Sequence, residues 1–241
     1  MRSYTRHQLK ENAFAETTAE TITWAVEHRS KIIAAATVVA LVAAVALGIW
    51  AFVNYRNQQA NNELSGALLK YNAPIRPAGE PASPEVLSYA TSAERAKAAN
   101  ADFTRIADKY SFTRNGRIAR YFEGVTLHDL GDNTGAEKQL QDVAGSRDKE
   151  VASLAKLALA SIDQDAGKTQ PAIELYKSLI ANPTTSVGAI TAQFELANLY
   201  EGNHQPLEAR KLYEQMQKAD PTGQVGQLAA QKLQTLRPPQ P

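Results

Sequence analysis

Hydrophobic positions along this chain follow two different patterns. Residues 32–53 form one unbroken apolar run, IIAAATVVALVAAVALGIWAFV, with no charged residue and no proline. Beyond it, apolar residues recur at helical spacing among polar ones, as in Leu64, Ala67, Leu68 and Tyr71 at i, i+3, i+4 and i+7. A helix rising ~1.5 Å per residue over this run reaches roughly 33 Å, enough for the ~30 Å hydrocarbon core of a bilayer. Backbone groups in lipid must satisfy one another, so the run predicts a single helix. Trp50 and Tyr55 lie near its far end, where amphipathic rings favour the headgroup zone, and Arg29 and Lys31 bracket the near end. Two other readings compete. A cleaved signal peptide would use a site such as Ala44-Val45-Ala46, but signal cores usually span ~7–15 residues behind a short basic leader. A buried core helix would rarely be apolar on every face for so many turns. The expected element is a transmembrane helix at 32–53.

Flanking charge predicts its orientation. Arg2, Arg6, Lys10, Arg29 and Lys31 precede the run, whereas only Arg56 and Lys70 follow within 20 residues. The positive-inside rule counts Lys and Arg, and it therefore places the N-terminus in the cytoplasm and the long C-terminal part across the membrane. The leader, residues 1–31, lacks glycine and proline between His7 and His28. It reads either as an interfacial helix or as a loosely ordered tail that supplies topogenic charge.

Helical patterning continues past the membrane. Residues 54–72 contain only Gly66 as a helix breaker, so the anchor is expected to run straight into a stem helix. Pro74, Pro77, Pro81 and Pro84 then enforce an extended loop, giving a stem-and-loop segment at 54–91. Thr91-Ser92-Ala93-Glu94 has capping-box spacing and predicts that helices resume near Ser92.

From there the chain repeats. Gly124, Ala160 and Ala197 are spaced by 36 and 37 residues, as are Ala136, Ala172 and Ala209, and Leu140, Tyr176 and Tyr213. Gly131 and Gly167 share a phase, with Gly202-Asn203 near the corresponding point of the third unit. This pattern resembles the tetratricopeptide-repeat family, and the third unit matches best. Numbered from Ile190, it places Leu196, Ala197, Tyr200, Ala209, Tyr213 and Pro221 at the family's preferred positions 7, 8, 11, 20, 24 and 32. The expected organisation is an all-α repeat domain at 92–236, with units at about 117–150, 153–186 and 190–223, a capping helix at 224–236 and a tail at 237–241. Ala99, Phe103 and Ile106 give an earlier half-unit, whose partner would be the stem helix. Each hairpin alone cannot bury its apolar face, so such units stack into a solenoid. Tyr176, Tyr213, Tyr200 and Phe103 are read as packing residues.

The resemblance implies a protein-binding surface on the concave wall, built from the first helix of each hairpin at positions 2, 5, 9 and 12. These are Ile118, Tyr121, Val125 and His128, then Leu154, Leu157, Ser161 and Gln164, then Thr191, Phe194, Asn198 and Glu201. Tyr121 and Phe194 are the expected anchors, because aromatic rings bury large area at low entropic cost. The alternative is that both rings are covered by a neighbouring helix.

Composition removes several chemistries. Without cysteine the chain has no disulfide, thiolate metal site or cysteine nucleophile. Net charge is +1, and residues 74–241 carry 19 basic and 20 acidic side chains, so no basic field exists to attract nucleic acid. His7, His28, His128 and His204 are scattered, no acidic cluster has metal-ligand spacing, and no glycine-rich loop follows a strand. Neither an enzyme nor a cofactor is expected. A cytoplasmic leader, one spanning helix, a stem and a small tetratricopeptide domain together resemble the ancillary subunit of the SecYEG translocon, the YfgM-like family. That resemblance implies a bacterial inner-membrane location with a periplasmic domain. Its implied partners are translocon subunits, periplasmic chaperones or unfolded clients. The leader is longer than that family suggests. The alternative role is a scaffold for envelope assembly or cell-division coordination, and a third is a self-associating structural module.

Overall fold

The computed structural model describes residues 24, 26, 28–83 and 85–236. The chain divides into two compact units, Met1–Asn54 and Tyr55–Pro241. The reading of the leader as a helix falls largely on residues 1–23, 25 and 27, and the tail on 237–241, all outside the described residues. Helix α1, Arg29–Tyr71, begins in the first unit and ends in the second. Within the first unit its apolar side chains are exposed but for a half-buried Val53, with Val39 and Trp50 at 67 %. Among the described residues it is the one helix long and apolar enough to cross a membrane.

The second unit is all-α. It contains the end of α1 and then α2 (Ser92–Lys109), α3 (Arg114–Asp129), α4 (Asn133–Ala144), α5 (Lys149–Asp165), α6 (Thr169–Ala181), α7 (Ala189–Gly202), α8 (Pro206–Ala219) and α9 (Gln224–Thr235). From α2 onward each helix packs on the next in sequence, and α3 also touches α5. The hairpins α3–α4, α5–α6 and α7–α8 therefore stack in order, with α9 closing the end. Before them, Leu64 and Ala67 of α1 share a buried cluster with Ala99, Phe103 and Ile106 of α2, so the stem supplies the half-unit's partner. The proline loop between them is held by an isolated bridge from Ile75 to Tyr89. Thr91 caps α2 by accepting from the Glu94 N–H at 3.1 Å, and the Glu94 carboxylate accepts in return from the Ala90 N–H at 3.1 Å.

Close approach of paired helices depends on the small residues of the repeat. Ala136, Ala160, Ala172, Ala197 and Ala209 are wholly buried. At Gly124 a Cβ would stand 2.6 Å from Leu140 Cγ and 3.3 Å from the Ala136 carbonyl oxygen. Tyr176, Tyr213, Tyr200 and Phe103 are buried packing residues, as their positions predict. Each tyrosine of the series also donates to a residue twelve positions earlier. The Tyr176 hydroxyl reaches Gln164 Oε1 at 3.3 Å, and the Tyr213 hydroxyl reaches Glu201 Oε1 at 2.6 Å.

The turn inside each hairpin repeats as well. Gly131 (φ 84°), Gly167 (φ 71°) and His204 (φ 57°) occupy the left-handed region at one phase. The following N–H groups of Asp132, Lys168 and Gln205 reach back to the carbonyls of Leu127, Asp163 and Tyr200 at 2.9, 2.7 and 2.8 Å. This is a Schellman closure, which wants glycine at the left-handed position. The third turn thus uses His204 where Gly202 was the nearest expected breaker, and it places a β-carbon in a costly conformation. His204→Gly should raise stability by about 0.5–1 kcal/mol, read as a higher thermal midpoint, the gain being trimmed by glycine's larger unfolded-state entropy.

Charge fixes the stem to the repeats. Glu63 of α1 accepts from Lys109 Nζ at 2.8 Å and from the Tyr110 hydroxyl at 2.7 Å, and it also pairs with Arg105. The Lys109 ammonium and then the Tyr110 hydroxyl, aided by Arg105, hold its pKa at about 2. Beside it Lys70 bridges to Asp102 at 2.6 Å. A second carboxylate behaves oppositely. Glu123 on α3 is buried at the position where the other units place Leu159 and Leu196. Burial raises its pKa against the Thr104 hydroxyl and Arg120, which favour the anion. A raised carboxyl pKa gives stability that is full below the ordinary glutamate range and is lost as pH rises through the folded value. Glu123→Leu should therefore stabilise the fold at neutral pH by roughly 1–2 kcal/mol, with the advantage narrowing on acidification in a pH series of melts.

Candidate protein-binding groove

The first helix of each hairpin, α3, α5 and α7, carries the predicted groove positions. None of these twelve residues is fully buried, and Ser161 and Thr191 are exposed. Between them lies a concavity of about 270 Å³, lined by Tyr121 of α3, Leu154, Leu157, Ala158 and Ser161 of α5, Tyr176 of α6 and Glu195 of α7. Four of the twelve expected residues thus meet at one site. The local sequence explains why: Leu154, Leu157, Ala158 and Ser161 fall on one helical face at i, i+3, i+4 and i+7. The opposite side of α5 sends Val151, Ala155, Leu159 and Ile162 into the core.

Six of the remaining eight expected residues, Ile118, His128, Gln164, Phe194, Asn198 and Glu201, are engaged within the fold. Gln164 and Glu201 accept from Tyr176 and Tyr213, and Glu201 also accepts from Lys232 Nζ of α9 at 3.2 Å. Asn198 Oδ1 accepts from the Tyr213 hydroxyl at 3.1 Å. His128 meets Asn133 Oδ1 through Nδ1 at 2.7 Å and Asp165 Oδ2 through Nε2 at 3.7 Å. Ile118 packs against two core clusters. The two preferred anchors separate. Tyr121 faces the concavity, while Phe194 lies edge-on to the Tyr213 ring with centroids 6.2 Å apart.

Neighbouring aromatics pack behind Tyr121. Its ring packs against Phe122 at 5.0 Å, and Phe122 stacks on Phe103 at 5.1 Å and meets Tyr71 at 5.7 Å. Burial, with Tyr71 alongside, raises the Tyr121 pKa, so its hydroxyl stays protonated at neutral pH. Burial and the negative charges of Glu195 and Asp165 do the same to Tyr176. The lining is largely apolar, with the hydroxyls of Tyr121, Ser161 and Tyr176 and the carboxylate of Glu195, which suits a peptide chain.

Sequence reasoning missed Ala158, Tyr176 and Glu195 as lining residues. Ala158 and Glu195 sit at position 6, one residue beyond the series used, and the pattern assigned Tyr176 to packing alone. A second, more open concavity of about 510 Å³ is lined by Asn57, Gln58, Asn61, Asn62, Arg114 and Asn115. It is polar throughout, and Arg114 there pairs with Asp148 at 3.0 Å. Among the described residues no cluster of His, Asp or Glu could hold a metal ion.

A family model described as a tetratricopeptide repeat-like domain matches residues 23–237. No curated protein and no solved structure matches the chain.

Proposed function

The chain belongs to the tetratricopeptide repeat-like domain family, and from that membership we propose that it binds protein segments in the Tyr121–Leu157 concavity while anchored by α1. Domains of this kind mediate protein–protein interaction. The observation that carries the reading is the apolar face of α5 left open between Tyr121 and Glu195. The finer proposal places the protein as a single-pass component of a bacterial inner membrane, N-terminus inside, with the repeat domain in the periplasm. There it acts as an accessory of the SecYEG translocon and the periplasmic chaperone network. The unbroken run at 32–53 and the charge bias across it support this reading, as does the resemblance of the whole arrangement to the YfgM-like family.

Photo-crosslinking from Ser161 in intact membranes tests it. Translocon subunits and periplasmic chaperones are the expected products. Peptidoglycan-synthesis proteins alone, or only further copies of this chain, would replace the proposed role by a scaffold or a self-associating module. Tyr121→Ala combined with Leu157→Ala should lower crosslinking about thirtyfold, the scale of losing a central aromatic contact, with helicity retained by circular dichroism. Unchanged crosslinking in a folded double variant would move the binding site elsewhere on the chain.

A further inference from the structure

We infer that the segment bound in this concavity presents basic side chains beside apolar ones. The inference rests on the groove reading above and adds the partner's charge. The floor is neutral and apolar, and Glu195 is the one charged residue that lines it. Two further carboxylates stand near it. Asp165 ends α5, 3.7 Å from His128 Nε2. Asp129 ends α3 at the same repeat position, 36 residues earlier. The nearness of these carboxylates registers on the tyrosines: Asp165 and Glu195 act on Tyr176, and Asp129 acts on Tyr71. Both aspartates sit at helix C-termini, where the backbone dipole adds negative potential.

Two cations that could offset this field are paired elsewhere. Arg120 pairs with Asp108 and Asp142, and Lys168 pairs with Glu137 and Asp163. Two basic groups stand toward the ends of the wall. Arg95 lies over the Tyr71 ring at 5.9 Å, and Lys232 is engaged by Glu201. His128 stands beside Asp165 through Nε2. The middle of the groove is therefore an apolar strip beside three carboxylates, Asp129, Asp165 and Glu195. Lysines or arginines flanking a buried leucine or aromatic would complete it, whereas an acidic segment would be repelled.

The test uses the full chain in nanodiscs of zwitterionic lipid, with empty discs subtracted. Labelled peptides carry leucines at fixed spacing, separated by lysines, glutamines or glutamates. At low salt the lysine peptide should bind about tenfold more tightly than the glutamate peptide, as expected for three part-exposed pairs. Raising the salt should shrink that gap. Asp165→Asn with Glu195→Gln should abolish the preference, and Asp165→Lys with Glu195→Lys should reverse it. Equal, salt-independent affinity for the three peptides, or a preference for glutamate, overturns the inference. If in that case Tyr121→Ala with Leu157→Ala removes binding of all three, the groove reading stands without it. If the double variant changes nothing, or no peptide binds at all, the groove reading falls together with the charge preference.

Discussion

Replacing Gly116 by alanine is expected to be the most disruptive single-methyl change in the repeat domain, lowering stability by about 4 kcal/mol or more. Gly116 sits in the first turn of α3, and its N–H donates to Thr113 Oγ1 at 3.0 Å. The Thr113 hydroxyl in turn donates to the Tyr110 carbonyl at 2.8 Å, and Thr113 is buried. A Cβ on Gly116 would stand 2.0 Å from the Tyr110 carbonyl oxygen and 2.5 Å from its carbon. These are backbone atoms, so no side-chain rotation relieves the overlap, and α2 and α3 must separate. That movement would pull Tyr110 from Glu63 and loosen the docking of the stem. Gly226 repeats the arrangement before α9, with a Cβ 1.7 Å from the Asp220 carbonyl oxygen. Gly226→Ala should therefore release the capping helix. Gly66 supplies the control: it is an exposed helical glycine with nothing within 4 Å of a Cβ. Gly66→Ala should stabilise by about 1 kcal/mol through helix propensity. Urea titration of the three variants checks all of this. Equal midpoints for Gly116→Ala and the parent would show that the α2–α3 junction is not as drawn.

Much of this architecture is legible in the chain's own spacing. The phase of Gly124, Ala136 and Leu140, repeated twice more, was enough to pair the helices, because a small residue is the only solution where two backbones approach closely. The continuity of α1 followed from the lack of any strong breaker between residues 32 and 72. Position-specific chemistry was less legible. His204 takes the left-handed turn that glycine holds twice before it, and only hydrogen-bond geometry reveals the equivalence. Glu123 occupies a leucine position, which hydrophobic patterning reads as surface. Gly116 and Gly226 share a repeat phase with Ala152 and Ala189, but the clash the two glycines avoid is with a preceding turn, six residues away, which spacing alone does not show. At the groove, the residue series found Tyr121, Leu154, Leu157 and Ser161. It could not show that Gln164, Asn198 and Glu201 serve as acceptors for the tyrosines behind them. That assignment depends on where a hydroxyl points, which spacing does not encode.

The full-length chain should sediment with membranes and resist alkaline extraction, whereas Val42→Lys combined with Val45→Lys should leave the membrane fraction almost entirely. The run at 32–53 contains eleven Leu, Ile, Val and Phe residues and eight alanines. At about 0.3–0.6 kcal/mol for each of the larger side chains, insertion gains roughly 3–6 kcal/mol. Two lysines near the centre cost about 2.5–3.5 kcal/mol each, or roughly 5–7 kcal/mol together, so the balance turns unfavourable. Lysine at residue 42 or 45 is too far from either end for its amine to reach the headgroups easily. Unit 55–241 has its own buried clusters, so the fragment lacking the run should be soluble and retain its helicity. Topology can be read in the same strains. A reporter active only outside the cytoplasm should work when fused after Pro241 and fail before Met1. A parent protein recovered soluble and shortened near Ala46 would instead show a cleaved signal, and a soluble full-length parent would show that α1 does not cross a bilayer. If the lysine variant remained in the membrane with the parent, the anchor would have to lie outside residues 32–53.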